Sequence, residues 1–322
     1  MKTLFKTIAH AVVAMACVWG LAAHAQTVKL KVGATPIIDL APFFAAVDQG
    51  YFKAEGVDIE IVTAPISNVL LTQLAAGQLD IAFSNIVTIA QAIENGIDFK
   101  VVLPGTLMKK GNDVNPCIVL NDSPIRTAKD LEGKRLASVG LNNIIWLYAR
   151  EWMVRNGADV SKVRIIEVPF AQMQDALLTG QAESVCPTEP FFTRAMESGK
   201  VRVLAFIYHE VTDNLESVMW VARGAWLKES ANAAALERFA RAYRRGVAFM
   251  EKNKKGPEGV RIISGYTKMD PAIVAKIQTP VFPMQVNART VEEMSLLMVK
   301  HGLLKKPADV NGFLFSTAIK AN

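Results

Sequence analysis

Apolar and polar side chains alternate along residues 28–33 (VKLKVG), the period of a strand with one buried face. The alternation returns at 57–62 (VDIEIV), and apolar runs at 79–83 and 99–103 read as two more strands. Between them, residues 42–50, 67–76 and 86–94 carry helical spacing, with Gly77 placed as a left-handed cap and Asn95-Gly96 as a stop. A strand at 117–120 leads into a second series. Strands fall at 135–139, 163–168, 184–186 and 201–206, and helices at 144–155, 173–179 and 190–197. Strands alternating with helices predict an α/β fold whose parallel sheets are built from right-handed crossovers. From about residue 231 the pattern turns helical, at 233–252, 256–264, 271–277, 290–301 and 307–321. These segments have no strands of their own and must cover a lobe already formed.

One short skeleton occurs in both series. Residues 74–83 read LAAGQLDIAF and residues 177–186 read LLTGQAESVC. Each is the end of a helix, a Gly turn and a buried strand. Two α/β units of similar plan follow from it, as recent duplicates or as one mechanical solution reached twice.

The first residues stand outside this pattern. Lys2 and Lys6 precede an apolar run over 8–23, and Ala23-His24-Ala25 has the form of a secretory cleavage site. The run continues past Cys17, whereas a lipid-attachment cysteine would end it. Residues 1–25 are therefore expected to be a cleaved signal peptide and the mature protein to be soluble in the periplasm. With 322 residues, 51% hydrophobic and 20% charged, the chain has the makeup of a globular protein of one large or two medium domains. Losing 1–25 removes two lysines and no acid, lowering the net charge from +6 to +4. That is mild, and the basic clusters at 241–245 and 252–255 sit in or at the end of a helical stretch, where a solvated face is the simple reading. Nucleic acid is a poor partner for such a surface.

Ligands of open parallel sheets bind beyond the carboxyl ends of the strands. In this chain that rule selects Thr35, Asp39, Ser67, Asn68, Ser84 and Asn85 in the first unit. In the second it selects Asn142, Asn143, Phe170, Gln172 and Glu189. Several precede helices directly, where Ser67, Ser84 or Asn85, and Asn142 or Asn143 can serve as N-caps; capping and ligand contact both remain open for each. The set holds no Arg, Lys or His, which a multiply charged anion usually requires. Asp39 and Glu189 favour a ligand with N–H donors, and Phe170 or Trp146 can stack on a flat one or belong to the core. The balance leans to an uncharged or zwitterionic organic ligand.

Several blocks together resemble the substrate-binding proteins of ABC importers in the nitrate/sulfonate/taurine and thiamine-pyrimidine-precursor group. They are PFFAAVDQGYF at 42–52, EGVDI at 55–59, LAAGQLDIA at 74–82, KDLEGKR at 129–135, and GQAE at 180–183 leading to EPF at 189–191. Across roughly 28–265 the order and spacing of the blocks carry the resemblance. It implies a two-lobed periplasmic-binding-protein-like fold of type II, each lobe a mainly parallel sheet flanked by helices. Lobe I is expected over 26–114 plus 205–322, with the helical C-terminal region, and lobe II over 115–204. The implied function is binding of a small organic ligand (pyrimidine-like, aromatic or sulfonate-type) in the interlobe cleft by hinge closure. The partner implied is the membrane permease of an importer, served by a monomer. A ligand sensor for a periplasmic receptor would need the same closure. One departure matters: many relatives carry an aspartate and an aromatic before Glu-Pro-Phe, whereas here Glu183-Ser184-Val185-Cys186-Pro187-Thr188 stands. The relatives' ligands are therefore not carried over.

The mature chain keeps Cys117 and Cys186. Two separate buried thiols is the simpler expectation, and a disulfide between neighbouring strands is the alternative for an exported protein. His209 and His301 lie far apart with no metal-ligand spacing, so neither a metal nor a cofactor is expected. There is no G-x-S-x-G elbow or P-loop. Fungal pyrimidine synthases resemble this group but carry a cysteine-rich motif that is missing here. The chain thus reads as a binding protein and not an enzyme.

Overall fold

The computed structural model describes residues 27–112 and 114–319. The expected signal peptide, 1–25, lies outside the described residues. Among the described residues, ten strands form two five-stranded sheets. The first contains β1 (Val28–Ala34), β2 (Val57–Thr63), β3 (Ile81–Asn85), β4 (Phe99–Lys109) and, much later in the chain, β10 (Asn214–Arg223). The second contains β5 (Cys117–Leu120), β6 (Arg135–Ser138), β7 (Arg164–Glu167), β8 (Ser184–Val185) and β9 (Val201–Ala205). Their orders are β2-β1-β3-β10-β4 and β7-β6-β8-β5-β9, the same arrangement twice.

In each sheet four strands run one way and one runs against them. β10 is antiparallel to both β3 and β4, and β5 to both β8 and β9. These opposed strands follow directly on the two passages of the chain between sheets, from Lys109 to Cys117 and from Ala205 to Asn214. A strand reached from the other lobe enters its sheet from the opposite end. β10 has no counterpart in the sequence reading, for a physical reason. Its residues NLESVMWVAR are buried from Leu215 to Ala222, so neither alternation nor a turn residue marks it, and Glu216-Ser217 breaks the apolar run.

Helices lie where the periodicity puts them, for example Ser67–Ala75, Ile86–Glu94 and Ile144–Arg155. The long helix Ser230–Asn253 packs on Ala41–Asp48 and surrounds buried Trp220 with Phe43, Phe239 and Tyr243. Gly246 permits this crossing: a Cβ there would stand 2.2 Å from the Pro42 carbonyl oxygen. The basic cluster on that helix is only partly solvated. Arg244 is buried and donates to the Thr317 carbonyl, and the Arg245 guanidinium lies 4.2 Å from the centre of the Tyr51 ring.

The single helix expected over 307–321 is two short turns, Val310–Phe313 and Ser316–Ile319. Leu314 between them forms a bridge with Val101, and the Phe315 N–H donates to the Val101 carbonyl at 2.9 Å. The edge of β4 takes hydrogen bonds that a continuous helix would have kept. The cysteine expectation also needs correction, since Cys117 and Cys186 form a disulfide. Ile118 of β5 sits opposite Val185 of β8, and antiparallel pairing then sets Cys117 across from Cys186. The neighbouring-strand alternative is the one that holds, because β5 and β8 pair.

Candidate functional site

The carboxyl ends of both sheets border one cavity of about 60 Å³. Thr35 follows β1, Ser67 follows β2, and Asn85 ends β3; across from them, Asn143, Phe170 and Thr188 follow β6, β7 and β8. The passages between sheets contribute Asn115 and Tyr208, and β10 contributes Ser217 and Val218. Among the described residues, no helix is long and apolar enough to cross a membrane.

Asp39 lines the cavity, on a one-turn helix (Ile38–Leu40) just after β1, and is 4% exposed. Its Oδ1 accepts from Thr106 Oγ1 at 2.8 Å, and Thr106 Oγ1 lies 2.7 Å from Ser217 Oγ. Burial raises the Asp39 pKa to about 6, against the opposing pull of the Thr106 hydroxyl and its own backbone N–H. The Thr35 Oγ1, Asn115 Oδ1 and Thr188 Oγ1 atoms are buried on the walls with no hydrogen-bond partner. Each such atom costs about 1–3 kcal/mol unless something fills its valence.

Six of the residues selected from sequence line this cavity: Thr35, Asp39, Ser67, Asn85, Asn143 and Phe170. Asn85 and Asn143 do so while capping helices. Asn85 Oδ1 accepts from Thr88 N at 3.0 Å, and Asn143 Oδ1 from Trp146 N at 2.9 Å. The structure keeps the other five off the cavity wall. Asn68 lies behind the Asn85 cap, its Oδ1 3.3 Å from Thr88 Oγ1, and Ser84 is fully buried in β3. Asn142 is exposed in a left-handed conformation (φ 54°), and its carbonyl accepts from Gln91 Nε2 at 2.7 Å. Gln172 is exposed on the outside of its turn. The Glu189 carboxylate, fully buried, accepts from Thr193 N and Oγ1 and from Gln278 N, and burial raises its pKa to about 7. Trp146 lies under the Arg150 guanidinium, 4.5 Å from its ring centre, and away from the cavity.

Asn115, Tyr208 and Ser217 were outside the sequence-derived set. Rules about strand ends do not reach residues on the passages between lobes. The one available signal was that any connection between two lobes must run past the cleft.

Two α/β lobes of matching strand order, joined by two passages and facing each other across a cavity, define the periplasmic-binding-protein fold. Solved structures agree. The periplasmic aliphatic sulphonate binding protein SsuA from Escherichia coli superposes with TM-score 0.73 at 16% identity, covering 90% of this chain and 98% of that one. The periplasmic nitrate-binding protein NrtA from Synechocystis PCC 6803 gives TM-score 0.73 at 16% identity, covering 90% and 86%. Among curated sequences, the bicarbonate transport ATP-binding protein CmpC from Synechocystis sp. is 27% identical over 190 residues, which are 54% of this chain and 28% of that protein. The chain thus matches little more than a quarter of that relative's length. The chain belongs to the NMT1/THI5-like family, whose model matches residues 37–256.

Proposed function

We propose that the protein is the periplasmic solute-binding component of an ABC import system, holding a small organic ligand between its lobes and handing it to a membrane permease. The lobes are residues 26–114 plus 205–322 and residues 115–204, which turn about the two connecting passages. The carrying observation is the set of three buried, unpartnered polar atoms on Thr35, Asn115 and Thr188, drawn from both lobes and a passage between them. A ligand that fills their valences gains those contacts together only when the lobes are closed, and closure can be shifted only by such a differential gain. Export by way of residues 1–25 would deliver the protein to the permease's outer face. The similarity to periplasmic sulphonate- and nitrate-binding proteins supports the class of the function.

Native mass spectrometry of the freshly purified mature protein tests this directly, with a bound small molecule expected. Thr35→Val and Thr188→Val remove unpartnered hydroxyls at nearly constant shape. Each is expected to leave the melting temperature of the empty protein unchanged or raised, while weakening that molecule's binding about tenfold. Unaltered affinity in both variants would remove the cavity from consideration as the binding site.

A further inference from the structure

The charge on the cavity wall goes further than the binding reading on which it rests. Asp39 is the only carboxylate lining the cavity, and no Lys, Arg or His lines it among the described residues. The ionisable groups that feel Asp39 from the surrounding elements are Tyr208, Tyr243 and Tyr266, which burial and the nearby carboxylate hold neutral. Glu189 meets this turn through its backbone, its carbonyl accepting from Ile38 N, while its carboxylate is turned to Thr193 and Gln278. The one charge is therefore negative and has no counter-ion. On the walls of the same cavity, the unpartnered Thr35, Asn115 and Thr188 oxygens all offer lone pairs. The remaining wall is apolar, with Ile66, Phe83, Ile145 and Phe170 among its residues.

We infer that the cavity takes a small organic cation, whose protonated nitrogen donates to the Asp39 carboxylate while its carbon skeleton lies on the apolar wall, and that it rejects oxyanions such as nitrate, bicarbonate and sulfonates. An oxyanion would face an uncompensated carboxylate in a site with little water to screen it. An N–H cation meets a complementary charge and unpartnered acceptors. The hydroxyls can turn to donate, so a second, neutral acceptor on the ligand is accommodated as well.

The test does not require the ligand to be known. A rich-medium extract is split by ion exchange into cationic, anionic and unretained fractions, and each is added to the purified mature protein while its melting temperature is followed. The cationic fraction is expected to raise it, and Asp39→Asn to abolish that rise. In wild type, the dilution giving half the maximal rise shifts about tenfold toward higher concentration from pH 7 to pH 5, as Asp39 takes up a proton near its pKa of about 6. This pH arm decides the point even where Asp39→Asn fails to fold. A rise with the anionic or unretained fraction alone, or one that strengthens on acidification, overturns the cation and leaves solute binding standing. A response to no fraction overturns the solute-binding reading and the cation with it.

Discussion

Removing the Cys117–Cys186 bond, by reduction or in a Cys117→Ala/Cys186→Ala double variant, is expected to lower the free energy of unfolding by about 4 kcal/mol. The two cysteines are 69 residues apart in sequence. The chain-entropy model assigns a loop of that length a cost to the unfolded state of this size, because the tie removes many open conformations. The position matters as much as the length. β8 has two residues, and its contact with β5 is the single register pair Ile118 with Val185. With so few ladder hydrogen bonds, the covalent tie holds the centre of the second sheet together. Denaturant titrations with and without reductant measure the effect, and coincident midpoints would refute it. Intact mass of the mature protein, without residues 1–25 and so without Cys17, should show no free thiol in the unreduced, denatured state.

The second large effect is expected at Glu151, where substitution by Gln should cost on the order of 3 kcal/mol near neutral pH. Glu151 lies on the helix Ile144–Arg155 and is 2% exposed. It accepts from Arg155 Nε at 2.8 Å on its own helix, and from Lys300 Nζ at 2.8 Å and His301 Nε2 at 2.9 Å at the end of Ala288–Lys300. Burial alone would raise its pKa. The hydrogen bonds from Lys300, Arg155 and His301 outweigh it and hold the value at about 2. A carboxylate whose folded pKa is depressed stabilises the fold fully above its unfolded value of about 4.5 and loses that contribution as pH falls toward 2. Acid unfolding of wild type should therefore begin below about pH 4.5. In Glu151→Gln the pH dependence across that window should flatten. An acid transition of the same steepness in the variant would contradict this account. The helix Ile144–Arg155 leads from β6 of the second sheet, whereas Ala288–Lys300 packs on β10 of the first. The same substitution thus loosens a tie between lobes.

Local periodicity made most of the architecture legible. The alternation VKLKVG and the Gly-terminated helix at 67–76 correspond to β1 and Ser67–Ala75 within a residue or two. What escaped was whatever depended on distant pairing. β10 is buried on both faces and so lacks a period; the final helix gives way at Leu314 because β4 offers it a partner; and the two cysteines meet because β5 and β8 are neighbours. In the cleft, strand ends located Asp39 and Asn143, but strand position alone does not reveal side-chain direction. Glu189 follows β8 beside Thr188, yet turns inward to Thr193 and Gln278. Asn85 resolves a choice that sequence left open by doing both things, capping its helix and facing the cavity.

The place of β10 between β3 and β4 has a consequence for the order of assembly. The second sheet comes from one unbroken stretch, Cys117 to Ala205, and can close as soon as that stretch is available. The first sheet has a gap at its heart until β10 arrives, after the whole of the second has been made. A chain that emerges from its N-terminus therefore finishes its inserted lobe before the lobe it began with. In the interval β3 and β4 expose unpaired edges, which makes the half-built first sheet the stage at which the protein is most open to aggregation.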